Sequence, residues 1–279
     1  MDTTRILFLD IDNTLLNRKK EITPEVNEAI RSVLANGHRI VIASGRSLPG
    51  VIGIAKQLRL DRPGCYCISG NGAEIWDFET GTALLKQCVS VGEASYIFRL
   101  AEAEGLHIQT YDSRDVLSRE MNEELAFYIR SLHISYRIDP GLPDTLTEDP
   151  IKLLAIDLHN RSKLDRLRAE IEKWSCGRLS CFYSNDWYLE IVRAGVSKGS
   201  AVRFLAKHLG VPIEQTVSAG DSENDIPMIE AAGVGCAMQN ASPEVKAAAD
   251  YITARDCDHS GLTEIIDKFI LHPQQAFHR

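Results

Sequence analysis

The sequence predicts an α/β protein built on a parallel sheet, and three observations predict it. Short apolar runs at Ile6–Leu9, Arg39–Ala43 and 65–68 alternate with helical patterns near the start of the chain. The same alternation resumes after Gly195. Between the two stretches, from about residue 84, the texture changes to amphipathic helices interleaved with half-polar strands. At 279 residues, 44% hydrophobic and 25% charged, the chain has room for one large domain or two medium ones.

Ile6–Leu9 is uninterrupted apolar sequence, as a strand covered on both faces requires. Residues 23–37 carry a helix signal, with Pro24 just inside the start and Gly37 at the end. Arg39–Ala43 is a second apolar strand that ends in Ser44-Gly45-Arg46, and residues 48–60 resume a helical pattern. A third short strand at 65–68 precedes Ser69-Gly70-Asn71-Gly72. In the middle of the chain, residues 92–105, 122–133 and 163–174 read as helices, and 106–111, 134–138 and 151–158 as half-polar strands. The strand-rich stretch 178–192 contains Asn185-Asp186 as a hairpin turn, and its polar–apolar alternation predicts a sheet with one open face. Then come a helix over 198–209, a strand over 216–219, a helix over 226–232, and strands at 235–238 and Tyr251–Ile252. The core is therefore expected to be discontinuous, formed by residues 1–83 and 191–279, with 84–190 as an inserted α+β domain. There is no internal repeat or low-complexity linker, and the tail after His272 is expected to be disordered.

A net charge of -8 and a pI near 5.5 favour solubility and argue against a nucleic-acid surface, so an anionic small molecule needs a local basic pocket. Cys65, Cys67, Cys88, Cys176, Cys181, Cys236 and Cys257 form an odd set with no CxxC pair and no zinc-type Cys/His spacing. Reduced thiols are expected. No signal-type stretch and no apolar run of membrane-spanning length occur, so cytoplasmic residence without a membrane partner is the expectation.

Asp10-Ile11-Asp12-Asn13-Thr14 closes the first apolar run with two carboxylates at alternate positions. On a strand, residues i and i+2 share a face, so both can converge on one group at the carboxyl edge of the sheet, where ligands of open α/β sheets bind. Attack on phosphorus by one carboxylate needs a second group to protonate the departing oxygen, which makes Asp10 and Asp12 a candidate nucleophile and acid/base. An isolated pair of this kind also serves to cap a turn. Ser44-Gly45-Arg46 offers a hydroxyl and backbone N–H groups between a strand and a helix, the setting that binds phosphate oxygens, although a plain turn has the same sequence. Lys198 opens a helix, where an ammonium neutralises phosphate charge or is simply solvated. Gly220-Asp221-Ser222-Glu223-Asn224-Asp225 holds three acids in five positions, a bound cation being one explanation and a helix start favoured by its macrodipole the other. Hard oxygen ligands without a His/Cys cluster suit Mg2+.

Together these segments resemble the haloacid dehalogenase superfamily. Residues 10–16, DIDNTLL, are similar to its first motif, 42–46, IASGR, to its second, 196–201, VSKGSA, to its third, and 220–229, GDSENDIPMI, to its fourth. The resemblance extends through 69–74 and 238–241 and is greatest to the Cof-type phosphatases with the larger cap of subclass IIB, while the insert matches in position and size only. It implies a Rossmann-like core with a mobile cap, and a Mg2+-dependent phosphohydrolase of small phosphate esters, sugar phosphates or phosphorylated cofactors. It implies Asp10 as nucleophile, Asp12 as acid/base, and Ser44, Gly45, Lys198 and Asn224 as phosphoryl binders. Asp10, the Asp12 carbonyl and Asp221 are the implied metal ligands, Asp225 supports the metal shell or Lys198 from behind, and Arg46 and Asn71 line the entrance. An acid at position 12 resembles the phosphatases and phosphomutases; dehalogenases lack an acid there.

Asn13 and Gln239 stand where this group more often has glycine; Asn13 tolerates the left-handed turn that glycine supplies, and Gln239 has no evident ligand role. Gly233-Val234-Gly235 and Gly70-Asn71-Gly72 lack the third glycine of a dinucleotide fingerprint, and no P-loop is present. His107, Tyr111, Asp186 and Trp187 are cap residues that either touch substrate or are ordinary strand and turn residues. Three readings follow: a phosphatase, a phosphomutase using the same aspartyl-phosphate, and a non-catalytic receiver-like module phosphorylated on Asp10.

Overall fold

The computed structural model describes residues 4–112, 114–132 and 134–273; the tail after His272, expected to be disordered, lies outside them from residue 274 onward. In chain order the elements are β1 (Ile6–Leu9), α1 (Pro24–Ala35), β2 (Arg39–Ala43), α2 (Leu48–Gln57), β3 (Tyr66–Ser69), β4 (Glu74–Asp77) and β5 (Thr82–Lys86). There follow α3 (Val91–Ala103), β6 (His107–Tyr111), β7 (Val116–Ser118), α4 (Glu123–Leu132), β8 (Tyr136–Ile138), β9 (Leu153–Ile156), α5 (Arg161–Ser175), β10 (Leu179–Asn185) and β11 (Tyr188–Arg193). The last stretch holds α6 (Lys198–His208), β12 (Thr216–Gly220), α7 (Ile226–Ala231), β13 (Val234–Ala237), α8 (Pro243–Ala248), β14 (Tyr251–Ile252) and α9 (Leu262–Ile265), which continues over Ile266–Leu271 in wider π-helical winding.

Two compact units result. The first takes in the described residues up to Arg46, Val51–Leu84 and the described residues from Ser197 onward; the second takes in Ser47–Gly50 and Leu85–Val196. The first unit resumes at Ser197 rather than at residue 191, because β11 runs to Arg193 and pairs with β9 and β10 in the second unit's sheet.

The first unit carries an eight-stranded sheet in the order β14-β13-β12-β1-β2-β3-β4-β5. From β14 to β3 the pairings are parallel, and β4 turns back antiparallel on β3. All four residues of β1 are fully buried, and each such side chain contributes about 1.5–3 kcal/mol of hydrophobic stabilisation, so the strand is anchored on both faces. The helices have the local signals that start them: Thr23 accepts from Val26 N ahead of Pro24, and Ser197 and Ser200 form a reciprocal capping box at the start of α6.

The second unit carries a six-stranded sheet in the order β10-β11-β9-β6-β7-β8. On one face Ile97 and Phe98 of α3 and Leu164, Leu167 and Ile171 of α5 pack with Ile108, Leu153, Ala155, Leu189 and Ile191. The expected open face is covered in part as well, since Leu125 and Tyr128 of α4 pack with Tyr111, Leu154 and Ile156. Polar strand residues on that side satisfy one another: Lys152 Nζ lies 2.9 Å from Glu190 Oε2, and Ser184 donates to Glu190 Oε1 at 3.1 Å. His107 and Tyr111 are buried there too, linked through Gln109. The β10–β11 turn falls on Asp186-Trp187, one residue beyond the Asn185-Asp186 expectation, because Asn185 still pairs with Tyr188 and its Oδ1 accepts from Trp187 N. Among the described residues no helix is long and apolar enough to cross a membrane.

Helix α3 begins with a complete capping box: Ser90 Oγ accepts from Glu93 N, and Glu93 accepts from Ser90 N. Ser90→Ala is expected to lower stability by about 1 kcal/mol, read as a shift of the urea midpoint at unchanged slope.

Candidate active site

Strands β12, β1, β2 and β3 are neighbours and all parallel, so their carboxyl ends share one sheet edge. Asp10 follows β1, Ser44-Gly45-Arg46 follows β2, Asn71 lies in the Gly70–Gly72 turn after β3, and Asp221 follows β12. The ladder continues into these ends: Asp10 N donates to Ala219 O and Ser44 N to Ile68 O, each at 3.0 Å. Lys198 arrives on the first turn of α6, whose packing requires Gly199; a Cβ there would lie 2.0 Å from Pro227 O.

At the centre of this edge Lys198 is fully buried, with Nζ 2.5 Å from Asp10 Oδ1 and 2.6 Å from Asp225 Oδ1. Burial works against its ammonium, but Asp10 and then Asp225 outweigh it and raise the Lys198 pKa. The other oxygen of Asp225 accepts from Asp221 N and Ser222 N at 3.0 Å, so this side chain is spent on holding Lys198 and the loop. Burial, followed by repulsion from Asp225, raises the Asp10 pKa well above the usual carboxylate range. The same two causes push Asp221 up to about 7. Thr14 Oγ1 donates to Asp221 Oδ1 at 3.4 Å, tying the loop after β1 to the loop after β12.

Asp10, Asp221 and Asp225 each have a carboxylate oxygen within 4.8 Å of the others, all three residues being buried. Three buried carboxylates around one ammonium leave a deficit of positive charge, and every donor is a hard oxygen. This set fits Mg2+. With Asp225 committed to Lys198, Asp10 and Asp221 are the carboxylates available to hold it.

Asp12 meets other partners. Arg46 grips it with a fork, Nε to Oδ2 at 2.9 Å and Nη2 to Oδ1 at 2.7 Å, and Lys20 Nζ reaches Oδ1 at 2.7 Å. Burial opposes ionisation, yet these two cations hold the Asp12 pKa below its ordinary value. Neutral groups link the turns after β2 and β3 to the loop after β12: Asn71 N donates to Ser44 O, Arg46 N to Ser44 Oγ, and Asn224 Nδ2 to Asn71 Oδ1 at 2.9 Å. Asn71 Nδ2 is buried without a hydrogen-bond partner, a donor in place for an incoming oxygen atom. Gly45 permits the close approach of Asn71, whose Oδ1 would sit 2.9 Å from a Cβ at that position.

Asn13 has φ of 58°, a left-handed conformation that Asn tolerates and that glycine would also supply. Gln239 needs no such conformation; its backbone N–H donates to Thr253 Oγ1 and its side chain is exposed. Sequence reasoning passed over Lys20, Thr14 and the bridging role of Asn240, which donates to Asn13 O and accepts from Cys257 N, both at 2.9 Å. Asn240 had a signal, since it lies in the 238–241 segment. Lys20 had none beyond its charge in a polar turn.

The profile of the haloacid dehalogenase-like hydrolase family matches residues 7–266. A putative phosphatase of Streptococcus pyogenes serotype M6 is 32% identical over 269 residues, covering 96% of this chain and 99% of its own. A 5-amino-6-(5-phospho-D-ribitylamino)uracil phosphatase of Bacillus subtilis strain 168 is 28% identical, with 96% of each chain covered. Among solved structures, a haloacid dehalogenase-like hydrolase from Bacteroides thetaiotaomicron superposes with a TM-score of 0.87 at 29% identity, over 95% of this chain and 99% of its own.

Asp225→Ala would remove one of two carboxylates facing a buried ammonium and strand the N–H groups of Asp221 and Ser222. A loss of stability is expected in urea unfolding without added metal, smaller than the ~3–5 kcal/mol of a wholly unpaired buried charge because Asp10 stays on Lys198.

Proposed function

Since the chain belongs to the haloacid dehalogenase-like hydrolase family, we propose that it hydrolyses small phosphate monoesters with Mg2+ through a phosphorylated Asp10. The observation that carries this reading is the buried ammonium of Lys198 between Asp10 and Asp225, at the same sheet edge as the unpartnered donor of Asn71. Lys198 and Asn71 bring the positive charge and the N–H group that phosphoryl oxygens require, next to a carboxylate able to attack.

In the first step an oxygen of Asp10 attacks phosphorus in line and the ester P–O bond breaks. Asp12, ionised while Arg46 and Lys20 hold it, takes up one proton from solvent as the ester binds and gives it to the departing alcohol oxygen. In the second step water attacks the phosphoryl group, Asp12 takes the proton of that water, and the bond to Asp10 breaks to release inorganic phosphate. Lys198 keeps charge on the phosphoryl oxygens balanced in both steps, with Ser44, Gly45, Asn71 and Asn224 positioning them. Asp10, the Asp12 carbonyl and Asp221 would hold Mg2+, which when bound supplies further positive charge to the phosphoryl oxygens. Asp225 acts through Lys198.

Sugar phosphates and phosphorylated cofactors are the proposed substrates, supported by the relative named for a phosphoribityl substrate. The inserted six-stranded unit is the cap of this reading and the cytoplasm its compartment.

With Mg2+ present, free phosphate is expected to accumulate in step with released alcohol, chelation with EDTA to stop it, and added Mg2+ to restore it. Asp10→Asn is expected to lower kcat by on the order of 10^3 or more, and Asp12→Asn by about 10^2–10^4. Full hydrolysis by Asp10→Asn would remove the nucleophile assignment. Isomerised ester without free phosphate would mark a phosphomutase, and a stable phosphoprotein without turnover a receiver-like module.

A further inference from the structure

Helix α4 is fastened to β6 by side chains that leave one another a single choice of orientation. Leu125 N, in the first turn of the helix, can only donate, and it donates to Asn122 Oδ1 at 3.0 Å, the bond of an N-cap. That fixes the amide of Asn122, so Nδ2 is the atom 3.0 Å from His107 Nδ1, and this ring nitrogen accepts. The proton of the neutral imidazole then sits on Nε2, which donates to Gln109 Oε1 at 3.0 Å. Gln109 Nε2 donates in turn to Tyr111 Oη at 3.0 Å, and Tyr111 donates at 2.8 Å to Tyr128 Oη, back on α4. One backbone N–H sets the direction of every bond in a loop that starts and ends on the helix. His107, Gln109 and Tyr111 are alternate residues of β6 and share the face on which Leu125 and Tyr128 pack with Leu154 and Ile156.

A protonated imidazole does not fit this loop. Both of its nitrogens donate, so Nδ1–H meets the NH2 of Asn122; turning that amide over accepts the new proton but points Nδ2 at Leu125 N and gives up the cap. Either arrangement leaves two donors facing each other at the start of α4. A cavity of about 470 Å3 gives solvent a route to the ring, its lining including His107, Asn122, Glu102 of α3, Arg119 and Glu120 after β7, and Glu124 of α4. Arg119 is paired with Glu102, so Glu124 and Glu120 are the carboxylates that draw a proton toward His107. On β9 the residue opposite His107 is the apolar Ile156, and farther along this face Lys152 and Glu190 satisfy each other. Burial outweighs the bond to Gln109 and the two acids, and holds the His107 pKa below its ordinary value. We infer that His107 is a proton-operated latch in the second unit: neutral, it keeps the start of α4 seated on β6, and with a proton it lets that turn go. The inference is independent of the phosphatase reading.

The sign follows from the lowered folded pKa. The latch contributes fully above about pH 6.5, where the ring is neutral folded or unfolded, and its contribution is lost as pH falls from there through the folded pKa. Hydrogen exchange on the full chain, read as the protection factors of amides 124–126 between about pH 7.5 and about pH 5, tests it. Protection is expected to fall by about fivefold or more, the factor a lost N-cap bond carries, while α5 on the opposite face of the sheet keeps its own. Asn122→Asp retains a capping oxygen and turns the facing donor into an acceptor, so its α4 protection is expected to hold or rise over the same interval. His107→Asn puts a non-titrating acceptor in place of Nδ1, and its α4 protection is expected not to change with pH. Constant protection in the unaltered protein overturns the latch, and so does an equal fall in either variant. Should the variants fail to fold, a ring-nitrogen NMR titration of the unaltered protein decides: an Nε2–H tautomer with a midpoint below that of free histidine upholds the latch, and an Nδ1–H tautomer or a midpoint at or above it overturns it.

Discussion

The whole sheet edge depends on one interaction, the burial of the Lys198 ammonium between Asp10 and Asp225. An ammonium withdrawn from water is tolerated only when carboxylates replace the solvent, so both acids must be present and both must be held. Asp10 is fixed by the ladder at the end of a fully buried strand, and Asp225 by the N–H groups of Asp221 and Ser222. Gly220 then has to lack a side chain, since a Cβ would lie 2.4 Å from that of Asp225. The capping box of Ser197 and Ser200 sets where α6 begins and so where Lys198 enters. Three segments, two of them far from the first in sequence, are thereby coupled through a single charge.

The same edge treats its two leading carboxylates differently. Asp10 is surrounded by other acids and by apolar strand, which raises its pKa; Asp12, two residues later, is gripped by Arg46 and Lys20, which lowers it. Alternation along a strand cannot account for this, because β1 ends at Leu9 and the chain is already bending at Asp12. What separates the two roles is the neighbours that other segments bring. A cation near Asp10 and Asp221 relieves the acidic cluster, whereas Asp12 already has Arg46 and Lys20 to balance it.

The core was legible because strands buried on both faces must be continuous apolar sequence, as Ile6–Leu9 and Arg39–Ala43 are, and because Thr23-Pro24 announces a helix by its chemistry. Strand β4, EIWD, escaped because Glu74 and Asp77 give it no apolar run; β7 has three residues and α8 six, too short for periodicity to declare itself. The partly covered face of the second sheet was illegible for another reason. The polar–apolar alternation predicted an open face, yet Lys152 and Glu190 are each buried by pairing with the other, and pairing is a property of register. Within the site, residues at strand ends stood out because sheet edges collect ligands. Lys20 did not, since only the folded turn aims it at Asp12.

Sheet order also explains how a large insertion leaves this site intact. The strands that carry it, β12, β1, β2 and β3, sit side by side, although β12 is more than a hundred residues from β3 in sequence. The chain departs from the core at β5, the outermost strand of the sheet, and returns at the cap of α6, so no hydrogen bond between the site-bearing strands is interrupted. The second unit has its own sheet and its own apolar clusters. It can therefore change sequence without disturbing Lys198 or its partners, whereas a substitution at Gly199 or Gly220 cannot. The sheet edge that holds the site and the sequence of the inserted unit then fall under separate physical constraints.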